Sequence, residues 1–595
     1  MPSNSAGGLI TTTVKVGGTA IPGDYQVHTI EIDQSVNRIA TAVISLVDGS
    51  PDAENFTISA SSTFVPGNEI SIEAGYDNTN VVIFSGIITK QSIHARPAVG
   101  PMLDVECKDK AVKMTVGRKS ATWSKAKDSD AISALIGNAG LSADVGATSV
   151  QLPELVQYYV SDWDFMLARA EVNGMLVTTL NGKVRVFDPA GDTSPADSAT
   201  FGEPEVLGFS AELNAVTQLE QVAASSWNYA TQALVSAKAQ NSVAGPGNLS
   251  SKTLSKVVGL DSFALQTATA ESQDMLTAWA KAQMLRSQLS KITGKVRLQG
   301  KSTYSPGKYL TLGGLGARFD GDHFMSSVRH ELADGNWITE VKIGMSPIWF
   351  VQERTIEAPE AAGLLPGIAG VYNATVKKID NDPDSEYRIL VDVALFNDTS
   401  QGLWARLANF YSTDGQGVFF LPEVGDEVVL GFLNQDPRYP VILGSLYSQK
   451  KKPFSVFSPN AKNTMKGIVS KKELRVLFDD DNTILTLLTP KNNTLVLDDK
   501  NGQIEMKDQN GNSIVMSSSG IAIKSNKTIS IQAAQNVSIK GDTGIAVESS
   551  AGDVTTKGIN IQETAQMQYG AKGSVSAQVE GGVSLTLKAA MVMIN

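Results

Sequence analysis

The chain has 595 residues, 42% hydrophobic and 19% charged, with 61 Asp/Glu against 50 Lys/Arg and a formal net charge of −11. That balance disfavours a binder of phosphate backbones, which would carry a basic surface, and the length implies three to five domains at roughly 150 residues each. A single cysteine, Cys107, excludes an intrachain disulfide, no run of about 18 apolar residues is available to span a bilayer, and the opening MPSNSAGGLITTTVKV lacks the basic-then-apolar pattern of a secretory signal.

Residues 1 to about 110 alternate in apolar and polar side chains. LITTTVKV, YQVHTIEID, RIATAVISLVD, NEISIEAGY and VVIFSGIIT read as strands separated by Gly, Pro, Asn and Asp turns. Residues 128–140 have Ser129 or Asp130 as N-cap candidates, apolar residues at helical spacing and Gly140 as a stop. Residues 162–174 read as a second helix with Phe165, Leu167, Ala168 and Val172 as its stripe. A third, the clearest, is expected from about Ser262 to Leu289, and strands return from Lys295 to Met345.

After a linker, EAPEAAGLLPGIAG, residues 365–450 carry six strand candidates: 371–379, 387–395, 403–410, 417–421, 427–433 and 441–447. So many short strands in under 90 residues point to a small closed barrel such as an OB-fold. An OB-fold that binds nucleic acid needs a basic groove. This segment has six Lys/Arg against eleven Asp/Glu, so a structural barrel is expected and nucleic acid is not. Residues 448–472 read as a polar connector, and paired short strands follow from Glu473, with Lys500-Asn501-Gly502 and Gln509-Asn510-Gly511 as corner signals.

From Ile521 to Met593 large apolar side chains keep to odd numbers, with only Val554, Val592 and Ile594 at even ones. Period two means extended chain with one dry face. A period of eight lies on top. Ile521, Ile529, Val537 and Ile545 form one column, Ile523, Ile531, Ile539 and Val547 another, and Ile559, Met567, Val575, Val583 and Met591 a third. Ile561 adds a further apolar residue at the same parity. Small residues repeat at 525, 533, 541, 549, 565, 573, 581 and 589, with Lys557 the exception. A short strand plus a tight corner is the signature of a β-solenoid. One octad cannot enclose a core alone, so three chains winding around one axis is the expected solution. The apolar column steps from 545 to 559, and Asp553 and Lys557 sit at inward parity between them, where they are expected to make axial polar contacts. Met591, Val592, Met593, Ile594 and Asn595 are expected to form a platform for a docking partner.

The barrel segment carries a family resemblance. LPEVGDEVVLGFLNQDPRYPVILGSLYS (421–448), with WARLAN (404–409) upstream, resembles the barrel signature of VgrG proteins of type VI secretion and of the central spikes of contractile phage tails. Pro422, Gly425, Glu427, Val428, Phe432, Asp436, Pro437, Pro440, Gly444 and Tyr447 hold its spacing. IFSGIIT (83–89), SDWDFMLARAEVNGMLV (161–177), PGKYLTLGG (306–314) and FMSSVRHELADGNWITEVKIG (324–344) resemble the tail-hub portion of the same proteins. The minimal architecture looks more like that of spikes of phage-tail-like extracellular contractile injection systems.

The fold class expected is mostly β with some α. It comprises a tail-hub region with β-barrel-like domains and inserted helices (1–355), an OB-fold barrel (365–450), a linker (451–472) and a trimeric triple-stranded β-helix spike (473–595). The resemblance implies a homotrimer that adapts a sixfold inner tube to a threefold membrane-puncturing needle. The partners implied are the inner tube protein, baseplate proteins, a PAAR-like tip protein and, transiently, a target membrane. It also implies assembly in the bacterial cytoplasm as part of a contractile particle, with extracellular release compatible.

No enzyme is expected. His28, His94, His323 and His330 show no metal-ligand spacing, Cys107 has no CxxC partner, and Asp479–Asn482 lacks the Gly and Glu of a calcium loop. No catalytic residue, cofactor or metal is therefore assigned. The rival readings are a β-helical tailspike enzyme cutting surface glycans and a receptor-binding fibre.

Overall fold

A computed structural model describes residues 8–96, 100–396 and 401–594. The chain divides into two compact units, Met1–Ser445 and Leu446–Asn595.

In the first unit, thirteen strands among the described residues join in one sheet. Alternation explains which faces they bury. Strand Val27–Ser35 turns Ile30 and Ile32 inward and Glu31 and Asp33 outward. Thr41–Val47 does the same with Ala42, Ile44 and Leu46. These side chains meet Ile70, Ile72, Phe84, Leu103, Val105 and Cys107 in one core.

Helices cover part of this frame: α1 (Asp128–Asn138), α2 (Asp162–Val172), α3 (Ser251–Ser255), α4 (Gln273–Leu289) and α5 (Phe350–Glu353). α1 begins one residue before its expected cap candidates, and Gly140 closes its C-terminus at φ +71°. Asp128, buried at its first turn, accepts Arg169 Nε and Nη2 at 2.7 and 2.9 Å and Asn173 Nδ2 at 2.8 Å, which ties α1 to α2.

The long third helix is shorter than the sequence spacing implied. Phe263–Thr267 is a strand parallel to Gln221–Asn228, and α4 starts only after Ser272, whose Oγ accepts the Met275 N–H at 3.1 Å. The cause is tertiary. The small sheet offers 263–267 backbone partners, and α4 covers that sheet's apolar face through Leu276, Ala280 and Met284.

The barrel closes with five strands: Tyr372–Lys378, Ile389–Val393, Leu403–Leu407, Pro440–Ser445 and Glu427–Phe432. Of the strand expected over 417–421 only Gly417 is paired, in the two-residue strand Gln416–Gly417 against Ser412–Thr413, and residues 418–421 have no ladder partner. The signature residues shape the loops. Asp436 accepts Arg438 Nε and Nη2 at 3.0 and 2.7 Å, and Gly425 turns at φ +86° while its N–H donates to Val376 O.

In the second unit, seven five-residue strands form an antiparallel meander from Met465–Val469 to Gly520–Lys524. Its first strand falls inside the stretch read as connector. Met465–Val469 pairs with Arg475–Asp479 over all five residues.

Candidate functional site in the C-terminal repeat

The meander is held at its turns by Asp, Asn and Thr side chains. Asp479 accepts the N–H groups of Asp481 and Asn482, and Asp498 accepts that of Asn501 at 2.9 Å. The Asn482 and Asn501 side chains hold these carboxyls below the usual carboxylate range. The stretch beginning at Asp479 is thus a turn between strands. Successive turns are also linked along the edge. Asn493 Oδ1 accepts the Gln509 N–H, and Asn526 Nδ2 donates to Asn510 O at 2.9 Å, each across sixteen residues.

Beyond Lys524 the ladder stops. No described residue from 525 to 594 pairs as a strand within its own chain. The backbone nevertheless bends at 526–527, 534–535, 542–543, 550–552, 559, 566–567, 574–575, 582–583 and 590, close to a period of eight. The small residue of each octad stands just before the bend. A Cβ added at Gly541, Gly573 or Gly581 would lie 2.5, 2.0 or 2.4 Å from the carbonyl oxygen three residues on. At these three glycines the corner is so tight that the chain folds back onto its own carbonyl.

The bends keep their phase across the step from 545 to 559, so the backbone repeat continues while the apolar content changes column. Asp553 stands in the column of Ile529, Val537, Ile545 and Ile561. Lys557 stands in the corner column otherwise filled by small residues. Both side chains are exposed.

All ten expected core residues, Ile521, Ile523, Ile529, Ile531, Val537, Ile539, Ile545, Val547, Ile559 and Ile561, are more than half exposed in the single chain. Ile559 and Val583 reach 102%, so these side chains touch nothing of their own chain. Met591, Val592, Met593 and Ile594 are likewise exposed, and Asn595 lies outside the described residues. Apolar surface on this scale marks an interaction site.

A family model described as the Alg8 N-terminal domain matches residues 6–334. The chain belongs to this family. Downstream, the type VI secretion system/phage-baseplate injector OB domain matches residues 372–447, and the phage baseplate V C-terminal trimerisation domain matches residues 484–544. This hub-and-spike protein is thus a structural component of the phage-baseplate or type VI secretion kind, as its barrel signature implies.

No curated protein matches in sequence. The 43 kDa tail protein of prophage MuSo2 from Shewanella oneidensis is 11% identical over 57% of this chain and 98% of its own, with a TM-score of 0.42. A tail protein from Neisseria meningitidis MC58 gives 14% over 57% and 98%, with a TM-score of 0.43. An E. coli type VI secretion component, described as structurally similar to T4 bacteriophage tail proteins, gives 13% over 73% and 99%, with a TM-score of 0.36.

Two of the four histidines, His323 and His330, are buried in the hub. His330 is buried, and its Nδ1 faces Thr339 Oγ1 at 2.8 Å and accepts the Trp337 Nε1–H at 3.3 Å. Burial lowers it to about 4. His323 Nε2 meets Phe319 O at 2.7 Å, His94 Nδ1 lies 3.6 Å from Asp104, and His28 is exposed. Burial pushes the Cys107 thiol up to about 12. Among the described residues no group of three or more His, Cys, Asp or Glu is arranged to hold a metal ion, and no helix is long and apolar enough to cross a membrane.

Two buried cations escaped the sequence reading. Lys291 donates to the carbonyls of Ala244, Pro246 and Leu249, and burial lowers it to about 8. Arg286 of α4 pairs with Glu171 of α2. Arg286 and Glu171 are 115 residues apart, and no local pattern announces such a pair.

Proposed function

We propose that this chain is the homotrimeric hub and needle of a contractile injection machine. One observation carries the reading: the octads are folded into regular corners while their apolar columns have no partner in their own chain. Three chains wound about one axis bury each column against the other two and pair the open backbone groups. Each Ile or Val so buried stabilises the shaft by about 1.5–3 kcal/mol.

In this reading the hub domains form the ring that adapts a sixfold inner tube to a threefold spike and meet the baseplate proteins. The barrel is the neck. The needle transmits the force of contraction to a target membrane. The work is mechanical, with no catalytic step and no cofactor, and assembly takes place in the bacterial cytoplasm. Inside the shaft, Asp553 and Lys557 pair across chains, because three like charges at one level are costly unless neutralised.

The terminal platform, Met591 to Asn595, carries a PAAR-like tip protein. Met591, Val592, Met593 and Ile594 offer exposed apolar surface, and methionines adapt readily to a partner surface.

Light scattering on the full-length protein tests the trimer. Three times the 63.1 kDa chain mass is expected, and a stable monomer with its β-signal intact would sink the proposal. Capture of the tip protein by the full chain and by a chain truncated after Ala590 tests the platform. Equal capture by both would rule the platform out.

A further inference from the structure

A cleft of about 960 Å³ opens between the hub sheet and the segment that leaves the hub. One wall comes from the strand Val27–Ser35 and the turn after it, with Asp33, Arg38 and Ile39. Lys108 and Lys342 join it from neighbouring strands. The opposite wall is the exit segment, with Met345, Ile348, Phe350, Glu353 and Arg354. The volume lies in the range of built ligand sites, about 300–1,000 Å³.

The charge of this cleft runs against that of its surroundings. Residues 1–355 carry 28 Lys/Arg against 35 Asp/Glu, a balance of −7. The cleft sets Arg38, Lys108, Lys342 and Arg354 against Asp33 and Glu353. Arg286, also on its lining, is already neutralised by Glu171. Arg38 and Lys342 form no ion pair among the described residues. Lys108 reaches Glu106 at 3.3 Å and Arg354 reaches Asp164 at 3.8 Å, in partly exposed geometry that water weakens.

Between the cations lie apolar side chains. Ile348 is half exposed, and Ile39, Met345 and Phe350 are partly buried. A dense polyanion would meet Asp33, Glu353 and this apolar wall unfavourably. A peptide would not, because its N–H groups can donate to the two carboxylates while its own acidic side chains meet the cations.

We infer that the hub cleft receives an extended segment of a partner polypeptide in which acidic and aliphatic residues alternate. Electrostatic complementarity would steer the encounter, and the apolar wall would hold the segment once docked. The site owes nothing to the needle or its tip, so it stands or falls apart from the proposed puncturing role.

The test is fluorescence anisotropy of the full-length protein with a labelled peptide of alternating Glu and Leu. A Lys-Leu peptide of the same length serves as control. The expected result is saturable binding of the Glu-Leu peptide that weakens with salt, and no binding of the control. Arg38→Glu/Lys342→Glu reverses two exposed charges and should weaken binding by about tenfold or more. Arg354→Glu, on the opposite wall, should weaken it independently. Unchanged binding by both variants would place the peptide elsewhere and overturn the inference. So would absence of saturable binding, equal binding of the control, or complete displacement by inorganic polyphosphate.

Discussion

The exit from the hub is latched by a buried charge network, and breaking it should show. Glu171 on α2 and Arg286 on α4 are 3% and 6% exposed. The Glu171 carboxylate accepts Arg286 Nη2 and, through both oxygens, the Phe350 N–H at 2.9 Å. Arg286 Nη1 donates to the carbonyls of Ser346 and Ile348, and its guanidinium lies 5.5 Å from the Trp349 ring. Trp349 Nε1 in turn donates to Gln283 Oε1.

Five groups thus tie residues 346–350 to two helices. Glu171→Ala leaves a buried guanidinium and a buried N–H without their acceptor. Removing one partner of a buried pair costs about 3–5 kcal/mol, a large share of the roughly 5–15 kcal/mol that holds a domain. The double variant Glu171→Met/Arg286→Met removes both charges and keeps the volume, so most of that loss should return.

Denaturant unfolding followed by tryptophan fluorescence reads the stability. Trypsin cleavage at the exposed Arg354 reads the latch. The single variant should lose stability and be cut faster at Arg354. A loss under about 1 kcal/mol, or a double variant worse than the single one, would refute the reasoning.

Further outcomes are expected elsewhere. His330, lowered to about 4 from an ordinary 6.5, is neutral in the fold, so the unfolded chain takes up a proton first. Its contribution is complete above pH 6.5 and is lost as pH falls towards 4, to a limit of about 3 kcal/mol. His330→Gln should flatten the fall in unfolding midpoint between pH 7.5 and 4.5, and an unchanged slope would clear His330 of the effect. Gly573→Ala places a Cβ 2.0 Å from Ser576 O, whereas Gly544→Ala meets nothing within 4 Å. The first should lower the melting temperature of the assembled needle, at about 1–3 kcal/mol per site, and the second should leave it close to wild type. Ile529→Asp and Val537→Asp together should shift the light-scattering mass towards a single chain, and an unchanged mass would mean these columns are not the assembly surface. Lys557→Met should destabilise the needle if Lys557 neutralises Asp553, and equal or higher stability would end the pairing idea.

The repeat was legible in the sequence because its rules are local. Period two sets the face of each side chain, and period eight sets the corner. The need for a small residue at positions such as Gly541 and Gly573 comes from a carbonyl three residues away. The barrel was legible for a related reason, since its signature gathers turn residues such as Gly425 and Asp436 beside the strands they connect. What tertiary structure decided is long in range. Residues 263–267 are as compatible with helix as with strand until Gln221–Asn228 offers them backbone partners. Glu171 and Arg286, or Lys291 and the carbonyls of 244–249, become sites only when packing excludes water from both members. The apolar columns lie at the far end of that scale. Their periodicity is written in one chain, but no surface of that chain covers them, and so they stand in solvent.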